Sequence, residues 1–273
     1  MSDRYLNMFT KLKEQNEGAF IPFVTLGDPD IPTSLEIIRA LIRSGADALE
    51  LGFPFSDPIA DGPVIQRASL RALDSGVTPD DCFEMIRHIR DENEELPIGL
   101  LLYANLIVAR GVERFYADAA AAGVDSILAA DVPIRESALI LEAARKHHIA
   151  AVFIAAPGAR DSVLKKIAAK GRGYTYLLSR AGVTGTESRA HTPAAGMIRK
   201  LEALKAPPPV LGFGVSEKSH VRAALAAGAR GVFVGSAVVK IIEKNLENHK
   251  HMLKELEKYA RGMKAATRGT TAS

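Results

Sequence analysis

Short apolar runs alternate with longer segments of three-to-four apolar spacing eight times along the chain. The runs predict strands at Phe20–Leu26, Ala48–Leu51, Ile98–Leu102, Ser126–Ala129, Ala150–Ala155, Tyr174–Leu178, Val210–Gly212 and Val232–Val234. Several are almost wholly apolar, as expected of parallel strands covered on both faces. Between them lie helical patterns such as Leu35, Ile38, Leu41 and Ile42. Three junctions, Ser44-Gly45-Ala46-Asp47, Ala122-Gly123-Val124-Asp125 and Ala227-Gly228-Ala229-Arg230, put a glycine where a helix gives way to a strand. A left-handed residue is common there, and glycine adopts it without steric cost. Eight such units in roughly 250 residues predict an α/β fold, a single closed (β/α)8 TIM barrel. An open doubly wound sheet usually has fewer strands. Asp3 to Gln15 reads as an extra N-terminal helix, residues from about Asn245 as a C-terminal helical extension, and Thr267 to Ser273 as a frayed tail. The expected organisation is one domain over 1–273, with the helix in 1–18, the barrel in 19–244 and the extension in 245–273.

Composition narrows the function. The 273 residues are 47% hydrophobic and 25% charged, with a net charge of +3. The one basic concentration, Lys240 to Lys264, is interrupted by Glu243, Glu247, Glu255 and Glu257, which reads as a solvated helix face and not a nucleic-acid patch. The polar start, Met1 to Lys13, carries no signal-peptide pattern, and no apolar run is long enough to span a membrane, so a cytoplasmic location is expected. A single cysteine, Cys82, excludes an internal disulfide and any multi-cysteine zinc site. Its helical neighbours Met85, Ile86 and Ile89 assign it to packing. HExxH, Walker and Rossmann patterns are lacking.

In a barrel of this kind the active site lies at the C-terminal ends of the strands. In Ala48-Leu49-Glu50-Leu51 the side chains alternate, so the leucines turn toward the helices and Glu50 turns into the barrel. A buried carboxyl is costly unless it is paired or kept for use at a raised pKa. The alternative is a structural Glu paired with a core Lys or Arg, but the predicted strands supply no obvious inward cation, which favours Glu50 as an acid–base group. The loop that follows, Gly52 to Pro63, holds Asp57 and Asp61. Aspartate before proline or glycine is common in turns for conformational reasons alone, and on this ground both stay open between turn-maker and functional group. A carboxylate opposite Glu50 would give two acid–base groups whose pKa values environment could drive apart.

Gly212-Phe213-Gly214 and Gly235-Ser236 follow the last two strands and precede helix starts. Glycine lets backbone N–H groups approach an oxyanion, the helix dipole assists, and the loops after strands 7 and 8 are a frequent phosphate site of this fold. The segment Ser179 to Pro193 is long, polar and glycine-bearing, as a lid would be. His191 within it, and the pair His147-His148 at the opposite end of the barrel, have no sequence partner that suggests catalysis.

These residues, in this order, resemble tryptophan synthase alpha subunits. The carrying motifs are Phe20-Ile-Pro-Phe-Val-Thr-Leu-Gly-Asp28-Pro29, Leu49-Glu-Leu-Gly-Phe-Pro-Phe-Ser-Asp-Pro-Ile-Ala-Asp-Gly-Pro63, Tyr103-Ala-Asn105, Asp131-Val-Pro133, Gly173 through Gly185, Gly212-Phe-Gly214 and Gly235-Ser236. The resemblance implies retro-aldol cleavage of indole-3-glycerol phosphate to indole and glyceraldehyde 3-phosphate, a lyase step of tryptophan biosynthesis. By the same resemblance Glu50 is the acid/base, Asp61 holds the indole N–H and the charge that develops on the ring, and Tyr176 assists near the glycerol hydroxyls. Gly185, Gly214, Gly235 and Ser236 are expected to bind the phosphate. Phe23, Leu101, Leu128, Ala130, Ile154 and Phe213 are expected to line the indole pocket, and Thr184 to position Asp61 as the lid closes.

The resemblance implies no cofactor on this chain. Pyridoxal phosphate is expected on a beta subunit that receives the indole in an α2β2 heterotetramer, with Pro54, Phe55, Asp57 and Asn105 turned toward it. Departures from the family pattern are Phe53 and Phe233, both expected to alter pocket shape, and Ala109-Arg110, which bears on coupling to the partner. A free-standing lyase and a mainly regulatory or scaffolding subunit are the alternatives, and retention of Glu50, Asp61 and Tyr176 argues for chemistry.

Overall fold

The computed structural model describes residues 3–178, 194–212 and 214–269. In chain order the first half contains α1 (Arg4–Glu14), β1 (Ala19–Thr25), α2 (Ile31–Arg43), β2 (Leu49–Gly52), α3 (Pro63–Asp74), α4 (Pro79–Glu92), β3 (Ile98–Leu102), α5 (Ala104–Arg110), α6 (Val112–Ala121) and β4 (Ser126–Ala129). The second half contains α7 (Ala138–Lys146), β5 (Ala150–Ala151), β6 (Phe153–Ala155), α8 (Asp161–Lys170), β7 (Thr175–Leu178), α9 (Ala194–Ala203), β8 (Pro209–Gly212), α10 (Lys218–Ala226), β9 (Gly231–Val234), α11 (Ser236–Lys244) and α12 (His249–Ala265).

The strands pair in the order β5-β4-β3-β2-β1-β9-β8-β7-β6, and the pairs are parallel. β1 lies against both β2 and β9, with Phe23 opposite Glu50 and Ile21 opposite Phe233, so the early and late parts of the sheet close on one another. The fold is the expected TIM barrel. Its fifth strand, expected as one run over Ala150–Ala155, is instead two short pieces. β5 pairs with β4 and β6 with β7. At the break the Val152 amide bonds the Ile127 carbonyl, while the Ala151 carbonyl accepts from Arg172. The strand thus changes partner at Val152, and a continuous apolar run carries no mark of that change. The three glycines at the repeated junctions are left-handed as expected, with φ of +99° at Gly45, +86° at Gly123 and +101° at Gly228.

Two layers of packing follow from the alternation. Leu49 and Leu51 join the shell between sheet and helices. Ala48, Ile21, Leu128, Val152, Tyr174, Tyr176, Val210 and Phe233 fill the barrel interior. The N-terminal helix completes that interior by adding Tyr5, Met8 and Leu12 to it. Asp3 caps α1 by accepting from the Leu6 amide at 3.0 Å, and Arg4 pairs with Asp125 at 2.8 Å.

At the other end of the chain α12 packs on α2 and α11, and Lys264 bridges Glu17 and Asp47, each at 2.8 Å. The tail was expected to fray from Thr267. Instead Thr267 is fully buried. Its carbonyl accepts from the Gly18 amide at 3.0 Å, and the Gly269 amide donates to the Asn16 carbonyl at 3.0 Å. A polar, small-residue sequence hides this docking because the bonds are made by backbone groups. Residues 270–273 lie outside the described residues.

One ion cluster ties the outer shell around the mouth. The Arg71 guanidinium donates to both carboxylate oxygens of Asp28, at 2.7 and 2.9 Å, and reaches Glu243, which also takes Arg67. The Asp28 side chain is only 1% exposed, and burial raises its pKa against the opposing pull of Arg71. Removing one partner of a buried pair leaves the other charge uncompensated. Arg71→Ala is therefore expected to lower stability by about 3 kcal/mol, measured by urea denaturation. Asp28→Asn should cost clearly less, because it removes the charge that needs compensation.

Candidate active site

Strand alternation carries Glu50 into the barrel, where it is 1% exposed. Register sets it between Phe23 of β1 and Gly99 of β3. Gly99 is a required gap: a Cβ there would come within 2.6 Å of Glu50 Oε2, 2.8 Å of Ser126 Oγ and 2.9 Å of the Tyr5 hydroxyl. The Tyr174 hydroxyl donates to Glu50 Oε2 at 2.7 Å, and Oε1 has no hydrogen-bond partner among the described residues. Burial pushes the Glu50 carboxyl up to about 8, with the Tyr174 bond opposing the rise. A carboxyl in this state is protonated at neutral pH and can donate a proton through an unengaged oxygen.

Asp61 stands at the end of the loop between β2 and α3 and is 9% exposed. The Tyr103 hydroxyl donates to its Oδ2 at 2.8 Å and accepts from the Ala60 amide at 3.1 Å. Gln66 Nε2 holds the Asp61 carbonyl at 2.8 Å. Burial raises the Asp61 carboxyl to about 6, against the lowering effect of Tyr103. The two carboxyls are thus driven apart, with Asp61 largely ionised at a pH where Glu50 is largely protonated. Tyr176 lies within electrostatic reach of both. Its ring stacks on Phe233 with centroids 4.7 Å apart and planes 20° apart. A Cβ at Gly212 would overlap its hydroxyl at 2.2 Å, so glycine there makes room for the tyrosine.

Of the six apolar residues expected around a ring-shaped ligand, four share one cluster. Leu128 is buried in the barrel interior, and the half-buried Leu101, Ala130 and Ile154 pack on the same cluster. A cleft of about 650 Å3 lined by Ala130, Ile154, Val152 and Leu178 opens beside them. Phe23 lies against Gly52 and Gly235, which sets the aromatic wall beside the glycine rim. On that rim Gly235 is the N-cap of α11 and Ser236 its first residue, while Gly214 has a φ of +76°. Backbone donors at a helix N-terminus with a glycine at its cap suit an anion. Thr184, Gly185, His191 and Phe213 lie outside the described residues.

Of the residues expected to meet a partner, Asp57 and Asn105 are exposed, Phe55 is half-buried, and Pro54 is buried within this chain. Phe53 was expected to alter the pocket. It turns the other way, in phase with Leu49 and Leu51, and packs its ring on Phe83 at 5.1 Å and Phe115 at 5.9 Å. Phe233 does face the interior. Arg110 is engaged within the chain by Asp80 at 2.7 Å, Asp118 at 2.6 Å and the Phe83 ring at 5.1 Å. Sequence reasoning missed Tyr103 and Tyr174 as the partners of the two carboxyls. The signal available was strand alternation: Tyr103 just after β3 is in phase with inward Leu101, and Tyr174 just before β7 with inward Tyr176.

A closed barrel with two buried carboxyls of opposite protonation at its mouth defines the class: an acid–base enzyme of the (β/α)8 type. The model of the family described as tryptophan synthase alpha chain matches residues 9–268. A tryptophan synthase alpha chain of Cronobacter sakazakii is 57% identical over 265 residues, covering 97% of this chain and 98% of that one. One from Escherichia coli is 56% identical over 266 residues, covering 97% and 99%. Among solved structures, Mycobacterium tuberculosis tryptophan synthase superposes with a TM-score of 0.88 at 30% identity, covering 98% of this chain and 99% of that one. A chain of the tryptophan synthase complex from Pyrococcus furiosus does so with 0.81 at 38% identity, covering 90% and 98%. The chain belongs to the tryptophan synthase alpha chain family.

Proposed function

We propose that this chain cleaves indole-3-glycerol phosphate to indole and glyceraldehyde 3-phosphate and passes the indole to a tryptophan synthase beta subunit. The observation that carries the mechanism is the fully buried Glu50 carboxyl, raised to about 8, near an Asp61 raised only to about 6. Protonated Glu50 gives its proton to the ring carbon that bears the glycerol chain. The ring becomes an iminium, and ionised Asp61 accepts a hydrogen bond from its N–H and stabilises the positive charge. The Glu50 carboxylate then takes the proton of the hydroxyl on the adjoining carbon. As the carbonyl forms, the carbon–carbon bond breaks and its electron pair returns to the ring, which leaves neutral indole and a protonated Glu50. Tyr176 orients the glycerol hydroxyls. Gly214, Gly235 and Ser236 hold the phosphate; the roles expected of Gly185 and Thr184 fall outside the described residues. Phe23, Leu101, Leu128, Ala130, Ile154 and Phe213 enclose the ring.

Every step uses side chains of this chain, and pyridoxal phosphate is assigned to the beta partner. Phe55, Asp57 and Asn105 face that partner, with Pro54 shaping the loop behind them. The organisation is one barrel domain with helical additions at both ends, in a cytoplasmic biosynthetic enzyme; among the described residues no helix is long and apolar enough to cross a membrane. Indole release measured with the purified chain, alone and with the beta subunit, tests the proposal. Cleavage that rises on adding the partner is expected. Full activity alone would favour a free-standing lyase, and partner activation without cleavage a regulatory subunit.

A further inference from the structure

Four aromatic rings form a column inside the barrel. Tyr5 of α1 lies against Tyr174, with centroids 5.4 Å apart. Tyr174 lies against Phe233 of β9 at 5.2 Å, and Phe233 stacks on Tyr176 at 4.7 Å with planes 20° apart. Tyr176 belongs to β7 and reaches Phe233 although β8 stands between the two strands. Gly212 of β8 opens the way, since a Cβ there would lie 2.2 Å from the Tyr176 hydroxyl. The column bears on the reacting groups at two levels. The Tyr174 hydroxyl donates to Glu50 at 2.7 Å, and Tyr176 stands within electrostatic reach of Glu50 and Asp61. Phe233 is the wedge between the two tyrosines and is 4% exposed.

Strand alternation puts Phe233 and Gly235 on the same inward face of the chain, with Gly235 nearer the mouth. Gly235 is the N-cap of α11 at the anion rim, so Phe233 is the first inward side chain beneath that rim. It shares one packed cluster with Leu101, Leu128, Ala130 and Ile154, the residues expected around the ring. We propose that Phe233 is the floor of the ring pocket and a specificity-determining residue: it confines cleavage to substrates whose indole ring carries no group on the edge turned toward β9. This role rests on the function proposed above. A phosphate anchored at the rim limits how far the ring can descend, and the floor sets where it must stop. That floor has little give. Tyr174 and Tyr5 back Phe233 in the column, and a close-packed interior yields poorly to an added methyl. A substituent that displaced Phe233 would also push on Tyr174, which holds the proton donor Glu50. One extra or missing methylene in an apolar pocket changes selection by roughly ten- to two-hundredfold.

The test uses the full-length chain with the beta subunit present. Its substrates are indole-3-glycerol phosphate and derivatives with one methyl on each free position of the six-membered ring in turn. The readout is the ratio of kcat/KM for each methylated substrate to that for the parent. Phe233→Leu shortens the floor and is expected to raise this ratio about tenfold or more for at least one ring position. Loss of support for Tyr176 would slow both substrates alike and leave the ratio unchanged, so the ratio isolates the floor. Phe53→Leu, the same shortening in the outer shell, is expected to keep every ratio at its wild-type value. Thermal melts establish that each variant is folded. Should Phe233→Leu fail to fold, Phe233→Met puts a flexible side chain at the same place and is held to the same criterion. Wild-type ratios at every position in the folded Phe233 variant overturn the proposal, as does an equal rise in Phe53→Leu. Wild-type protein that releases no indole from the parent substrate overturns the proposed function instead, and the floor with it.

Discussion

Glu50→Gln is expected to lose indole release by roughly three orders of magnitude while the fold survives. The amide is close in size and can still accept from Tyr174, but it neither donates a proton to carbon nor takes one from a hydroxyl. The same substitution tests a consequence for stability. A carboxyl whose folded pKa is raised to about 8 from 4.5 binds a proton more tightly folded than unfolded. Its favourable contribution is complete below the unfolded value and is lost as pH rises toward 8. At pH 7 the charged form of the unfolded chain therefore costs the native state roughly 3 kcal/mol. Glu50→Gln removes that dependence, so its melting temperature should exceed that of the wild type increasingly from pH 6 to pH 9, offset in part by an amide with one group unpaired. Calorimetry across that range decides the matter. A variant that is inactive and equally destabilised at every pH would show that Glu50 serves packing.

Asp61→Asn should lower kcat/KM by about two to three orders of magnitude, because a neutral amide gives far less stabilisation to a cationic ring than a buried carboxylate. The wild-type profile of kcat/KM should be bell-shaped. Activity falls below about 6 as Asp61 takes up a proton and loses its charge. It falls above about 8 as Glu50 loses the proton it must donate. In Asp61→Asn the acidic limb should disappear and the basic limb remain. A persisting limb near 6 in that variant would assign the group to another residue.

The sequence made the barrel legible through its repeated helix–glycine–strand junctions and the period of two in each strand. The same period turned Glu50 inward and, read one step further, would have turned Phe53 outward with Leu49 and Leu51. Asp61 was ambiguous, because turn chemistry explains an aspartate before glycine equally well. What resolves its surroundings is Tyr103, 42 residues away in the chain. That contact exists only because β2 and β3 pair in one register, and pairing register is a property of the closed sheet. The break at Val152 was hidden for a related reason. A residue that changes hydrogen-bond partners keeps its apolar character. The docked tail was hidden because its bonds use backbone groups, which every sequence possesses.

That docking bears on the order in which the molecule can form. The amide of Gly18 and the carbonyl of Asn16, beside the first strand, are bonded by Thr267 and Gly269, and the second neighbour of β1 is β9. During synthesis the edge of β1 that faces β9 has no native neighbour until nearly all the rest has been made. The closure entropy of so long a loop grows only logarithmically, so the finished closure is cheap to keep. The delay, however, leaves an apolar strand edge exposed throughout synthesis, when association with other chains competes with completion. The last turn of α12 and the four residues after it thus act as the clasp that ends this vulnerable interval.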